Sequence, residues 1–175
     1  MERLWAPWRI EYILEDKNGD CVFCVAGKTE GETDDGLLLF SSTLSTVLLN
    51  KYPYNNGHLL ISPKRHVADL EKLSGEELAD LTKLIVHSTA AIKKTLNAEG
   101  FNVGLNLGKA GGAGIGDHLH WHVVPRWTGD ANFMPVLSET KVLPEHLSET
   151  RAKLKPCFEE KEEGKEKIGS KESGV

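Results

Sequence analysis

Cysteine is scarce: the 175 residues contain three, and an odd number argues against a disulfide framework. Long hydrophobic runs are missing too. No stretch approaches the ~18 apolar residues of a membrane span, so no membrane partner is expected. The opening Met1-Glu2-Arg3-Leu4-Trp5 lacks the apolar run of a signal peptide, and a cytoplasmic location is the corresponding expectation. Positive charge is short, with 21 Lys and Arg against 26 Asp and Glu, a net charge of −5 and a pI of about 5.8. That balance argues against nucleic acid as a partner, although one basic site is invisible in a sum. No internal repeat is present.

What is there suits one folded domain. Apolar residues make up 39% and charged residues 27%, enough to build a core with a solvated remainder. From Glu159 to Val175 the chain carries six Glu and four Lys with only Ile168 and Val175 apolar. Such a segment buries too little surface to offset its ordering entropy. The expected division is a domain over residues 1–155 and a charged, disordered tail over 156–175.

Local patterns place the elements. Leu4–Ile13 is apolar and aromatic but interrupted by Pro7, which suits packing over a neighbouring surface better than a long helix. Strand-like runs at Leu37–Phe40, Thr46–Asn50 and Gly57–Ser62, separated by turn residues, suit an antiparallel meander. Ser74 and Glu77 have capping-box spacing. Behind them Leu78, Leu81, Ile85, Ser88, Ile92 and Leu96 recur at helical steps, with Gly100 as the stop. Two further strands are expected at Phe101–Asn106 and His118–Val124.

The last of these carries the chemistry. In His118-Leu119-His120-Trp121-His122-Val123-Val124, alternate side chains share a face, so three imidazoles point one way and Leu119, Trp121 and Val123 the other. A merely solvated face would use Thr, Lys or Glu. Three imidazoles could hold a catalytic metal, or one could act as nucleophile on a phosphoryl group while the others stabilise it. The preceding Gly108-Lys109-Ala110-Gly111-Gly112-Ala113-Gly114-Ile115-Gly116 favours the second, because unobstructed backbone amides cradle phosphate. Of the acidic ligands a multi-metal hydrolase would need, only Asp117 is close. Separately, Cys21 and Cys24 form a Cys-x-x-Cys pair, half of a common zinc site. With no second such pair, a closed tetrahedral site must take histidines. A redox pair is the rival, but it normally opens a helix in a βαβ context that is missing here.

The histidine stretch resembles the His-φ-His-φ-His-φ-φ signature of the histidine triad (HIT) superfamily, φ being hydrophobic. Leu4-Trp5-Ala6-Pro7-Trp8-Arg9, Asn50 to His66 and Pro125-Arg126-Trp127 resemble the branch of diadenosine tetraphosphate phosphorylases and related hydrolases. The resemblance implies an α+β fold: an antiparallel sheet of about five strands, one long helix and a shorter N-terminal element, in a homodimer. Trp5, Trp8 and Tyr12 could cover a partner subunit, although a monomer could use them too.

It also implies roles. His120 would attack the α-phosphorus of a nucleotide or dinucleoside polyphosphate, forming a nucleotidyl-imidazole. His122 would contact the phosphate, Asn106 would donate a hydrogen bond near the phosphorus, and Gly112 and Gly114 would lie in the phosphate loop. Asn50 would bind the ribose hydroxyls, and His58 is the family's supporting histidine. His66 and His118 would complete a structural zinc site with Cys21 and Cys24, and no organic cofactor is implied. His87, His146 and Cys157 are given no role. Family hydrolases often carry Gly-Gln followed by Ser or Thr before the triad. Here Gly114 and Ile115 stand at the nearest positions, in a loop one residue longer, which favours phosphate over water as acceptor. A hydrolase of dinucleoside polyphosphates or nucleoside phosphoramidates is the alternative, and a nucleotide-binding regulatory module is the alternative outside catalysis.

Overall fold

The computed structural model describes residues 21–29, 36–130 and 143–159. The Leu4–Ile13 segment and residues 160–175 of the expected tail lie outside these. The described elements run α1 (Val22–Lys28), β1 (Leu38–Ser41), β2 (Ser45–Leu49), β3 (Leu59–Pro63), α2 (Gly75–Leu96), β4 (Gly100–Leu105), β5 (Trp121–Arg126) and α3 (Leu147–Glu159). The five strands form one antiparallel sheet in the order β1-β2-β3-β5-β4. The α+β class, the five strands and the long helix match expectation, and α3 is an addition to it.

The sheet is buried on both faces around β2, all five of whose residues are buried. On one face Val47, Leu49, Leu59, Ile61 and Val123 pack with Leu81, Leu84 and Ile92 of α2 and Leu154 and Phe158 of α3. On the other, Leu38, Leu48 and Leu60 meet Phe23 and Ala26 of α1, one helical turn apart, together with Ile115. Short α1 therefore covers the sheet face opposite the long helices.

Helix α2 starts as expected. Ser74 Oγ accepts from the Glu77 N–H at 3.1 Å, and Glu77 Oε2 accepts from the Ser74 N–H at 2.8 Å. Its buried face is centred on Glu77, Leu81, Leu84, Ser88 and Ala91. Leu78, expected on that stripe, lies one residue round the axis from Glu77 and is 41% exposed. The stop also differs. Asn97 takes the left-handed conformation at φ 53°, which asparagine tolerates better than most residues, and Gly100 is already the first residue of β4.

Two further expectations are corrected. The ladder of β5 begins at Trp121 rather than His118, because the Leu119 N–H donates to the Val67 carbonyl at 2.8 Å. Alternation survives that departure, with Leu119 and Val123 in the main core and His118 and His120 against Phe23. The domain does not end at 155. Helix α3 runs on through Pro156 and Cys157, and Phe158 is fully buried, with ring centroids 6.0 Å from Phe40 and 4.7 Å from His87. Among the described residues no helix is long and apolar enough to cross a membrane.

Candidate active site and metal-binding cluster

Cys21 caps the start of α1 without using its side chain in the cap, and Cys24 follows one turn later. The pair thus does open a helix, but one packed on an antiparallel sheet, not the βαβ setting of a redox pair. Lys64 lies against Gly27 of α1, and the Leu119–Val67 hydrogen bond holds the chain after β3 beside the histidine stretch. Four ligand atoms meet there: those of Cys21, Cys24, His66 and His118 all lie within 4.8 Å of one another.

The donor set fits a metal ion. His118 Nε2–H donates to the Pro63 carbonyl at 2.8 Å, leaving Nδ1 as an acceptor 3.3 Å from Cys21 Sγ and 3.5 Å from Cys24 Sγ. His66 Nδ1 lies 3.2 Å from Cys24 Sγ. Sulfur and nitrogen ligands on a tetrahedral zinc stand about 3.5 Å apart, given bonds of about 2.3 and 2.0 Å. A ligating histidine held by a backbone carbonyl through its other nitrogen is the usual outer-shell arrangement. Burial, opposed by the Pro63 carbonyl, pushes His118 below the ordinary histidine value, which suits a neutral ligand.

Beyond this cluster a row of polar side chains crosses the same sheet face. Cross-strand partners share a face, and Leu48 pairs with Leu60, Leu60 with His122, and Gly104 with His122. The Asn50 N–H donates to the His58 carbonyl at 2.9 Å, which sets these two residues side by side, while Asn106 and His120 each lie one residue beyond the last β4–β5 pair, Leu105 and Trp121. The imidazoles of His120 and His122 meet edge to face at 5.1 Å.

Hydrogen bonds assign the tautomers. His120 Nδ1–H donates to the His118 carbonyl at 2.9 Å, so the lone pair of the neutral ring sits on Nε2. Burial pushes His120 below the ordinary histidine value, against a smaller opposing effect of that carbonyl, favouring the neutral form. The Tyr54 N–H donates to His58 Nδ1 at 3.0 Å, and Asn50 Nδ2 stands 3.2 Å from the same atom. His58 therefore carries its proton on Nε2 and donates to His122 Nδ1 at 3.0 Å. His122 in turn carries its proton on Nε2. Asn50 Oδ1 accepts from the Tyr52 N–H at 2.9 Å. The side chain expected to bind ribose thus also orients His58.

The glycine loop is more self-contained than expected. The Gly112 N–H donates to the Lys109 carbonyl at 3.1 Å, and the Ala113 N–H to the Gly108 carbonyl at 3.3 Å. Asn106 Nδ2 reaches the Gly112 carbonyl at 3.5 Å. Gly114 is half-buried, and the following Ile115 packs on the Phe23 cluster, which brings the loop's end to the histidine side of the sheet. His87 Nε2 meets the Cys157 carbonyl at 2.9 Å and His146 Nδ1 meets Ser148 Oγ at 3.0 Å, both away from this row.

Two aromatic residues complete the site without having been singled out in the sequence. Phe23, between the cysteines, stacks on His120 with centroids 4.8 Å apart and planes at 25°. Tyr54 lies 4.8 Å from His58 and stacks on His122 at 5.6 Å and 18°. The available signal was position alone, Phe23 inside Cys-x-x-Cys and Tyr54 four residues before His58.

Known proteins resemble this chain in sequence and in fold. The HIT domain family model matches residues 31–129. An AP-4-A phosphorylase of Mycobacterium tuberculosis is 40% identical over 163 residues, covering 88% of this chain and 83% of that protein. A bis(5'-adenosyl)-triphosphatase of Dictyostelium discoideum is 28% identical, covering 70% and 86%. Among solved structures, a Zn-bound histidine triad family protein from Mycobacterium smegmatis has the same fold, with a TM-score of 0.64 at 24% identity over 83% of this chain and 97% of that one.

Proposed function

The chain belongs to the HIT domain family, and on that footing we propose that it is an enzyme cleaving dinucleoside polyphosphates, diadenosine tetraphosphate in particular, by phosphorolysis. The observation carrying this reading is the hydrogen bond from His120 Nδ1–H to the His118 carbonyl, which leaves Nε2 as a nucleophile in a buried, neutral ring.

In the first step the Nε2 lone pair bonds to the α-phosphorus, and the bond from that phosphorus to the bridging oxygen breaks. ATP leaves and the nucleoside monophosphate stays on His120. His122, protonated on Nε2, would donate to the phosphate, and Asn106 would donate beside the reacting phosphorus. In the second step an oxygen of inorganic phosphate attacks, the nitrogen–phosphorus bond breaks, and ADP leaves. Asn50 would meet the ribose hydroxyls with the hydrogen-bonding capacity that His58 and Tyr52 do not use. The loop holding Gly112 and Gly114 would cover the phosphates, with the Gly112 amide exchanging its bond to Lys109.

Cys21, Cys24, His66 and His118 would hold zinc. With four protein ligands it supplies a structural cross-link and no open position for water. We extend the reading to a homodimer, supported by the edge position of β4, whose Asn102, Val103 and Gly104 are exposed.

Phosphate as acceptor is supported by the 40% identity to a named phosphorylase and by Gly114 and Ile115 at the loop's end. Water is the second reading, supported by likeness to a triphosphatase. Incubation with diadenosine tetraphosphate, with and without phosphate, separates them by chromatography. ADP plus ATP formed only with phosphate is expected. AMP plus ATP without phosphate would replace phosphorolysis by hydrolysis, and binding with no product would make the chain a nucleotide-binding module.

A further inference from the structure

We propose that Phe23 is a positioning residue for His120, tying the cysteine–histidine cluster to the chemistry; this rests on the reading of His120 as the nucleophile. Phe23 is 0% exposed and lies on α1 between the two cysteines. Its ring stacks on His120 at 4.8 Å and is tilted against His118 at 5.2 Å. Among the described residues one hydrogen bond, from His120 Nδ1–H to the His118 carbonyl, anchors one edge of the imidazole, and by itself it would leave the ring plane to rock about that contact. The buried phenyl face removes this freedom on one side, and the edge-to-face contact with His122 at 5.1 Å limits it on another. The direction of the Nε2 lone pair then follows from where α1 sits.

The position of α1 is set by two sets of contacts. Ala26 and Phe23 pack on Leu38 and Leu48, while Cys21 and Cys24 converge on His66 and His118. Phe23 sits where the two meet. The cluster therefore bears on catalysis through an aromatic ring, without lending a ligand to substrate. Because attack on phosphorus depends on alignment, a nucleophile displaced by about 1 Å loses up to about 100-fold in rate.

Phe23→Leu keeps the position apolar and removes the planar face. Rapid-quench mixing with diadenosine tetraphosphate reads the rate and amplitude of nucleotidyl-histidine formation separately, alongside KM. The expected result is a rate about tenfold below wild type, with burst amplitude and KM within about twofold. A wild-type rate in Phe23→Leu overturns the proposal. So does a fall in amplitude at unchanged rate, which would mark Phe23 as holding only the fold. Phe23→Met is the second variant, read the same way, if Phe23→Leu does not fold. Turnover by the wild type with no covalent nucleotidyl-histidine would instead overturn the parent reading, and this inference with it.

Discussion

His58 Nε2 stands 3.0 Å from His122 Nδ1, and the Tyr54 N–H at 3.0 Å from His58 Nδ1 decides which nitrogen carries the proton. Residues flanking the β2–β3 turn thereby orient a histidine on β5. The chain of contacts runs from Asn50 and Tyr54 through His58 to His122, and each member has one arrangement that satisfies its neighbour. Such networks act as a unit, and deleting one member affects the rest.

His58→Ala removes the donor to His122 and the acceptor of the Tyr54 N–H. It should lower kcat about tenfold or more while changing KM less, because a misoriented donor is felt mainly in the transition state. Steady-state kinetics on the folded variant checks this. An unchanged kcat would show that His122 needs no such orientation.

Metal removal should act first on stability. If zinc joins α1 to the histidine stretch, a loss of about 3–5 kcal/mol would lower Tm by roughly 10 °C. Chelation followed by thermal melting reads this, and Cys24→Ser should melt at a similar temperature. Turnover by the still-folded protein should slow but not stop. A Tm indifferent to metal contradicts the structural site, and complete loss of turnover in a folded protein contradicts its non-catalytic character.

Glu77 links two structures, accepting from the Ser74 N–H and from Arg65 Nε and Nη2 at 2.9 Å. The Arg65 guanidinium, with the Ser74 backbone adding to it, holds the Glu77 carboxyl at about 2. A depressed carboxylate stabilises the fold above its unfolded value and loses that contribution as pH falls through the folded one. Glu77→Gln should therefore cost about 1–2 kcal/mol at pH 7. The gap from wild type should narrow as pH falls from about 4.5 toward 2. Urea melts at several pH values test the trend, and a gap independent of pH would refute the ion pair's part in it.

Gly111 is held by its surroundings. A Cβ there would lie 2.3 Å from the Leu107 carbonyl oxygen, a backbone atom that moves only with the loop. Gly111→Ala should shift the 108–116 loop and raise KM for the polyphosphate several-fold, with a Tm change under about 4 °C because the loop is solvent-facing. Unaltered KM would remove the loop from the binding site.

Much of this was legible because spacing alone encodes it. The capping box of Ser74 and Glu77, the alternation of His118, His120 and His122, and the five strands follow from periodicities of 3.6 and 2. The convergence of Cys21, Cys24, His66 and His118 came from family resemblance, since nothing local brings residue 66 to residue 118. The Leu119–Val67 hydrogen bond holds the two segments together, and it also delays the start of β5 to Trp121. Helix α3 was missed because Pro156 and a dense run of charges obscure its apolar positions, which Leu154 and Phe158 fill only in tertiary context. Phe23 and Tyr54 were missed because stacking on a histidine leaves no periodic trace.

The most direct test of the whole account is capture of the covalent intermediate. The reaction with diadenosine tetraphosphate is quenched during the burst, the protein is digested under conditions that preserve the phosphorus–nitrogen bond, and its peptides are mapped by mass spectrometry. The account predicts one nucleoside monophosphate on His120, its loss in His120→Asn together with nearly all turnover, and retained nucleotide binding by that variant. Full turnover by His120→Asn, or a nucleotide carried on another residue, would contradict it.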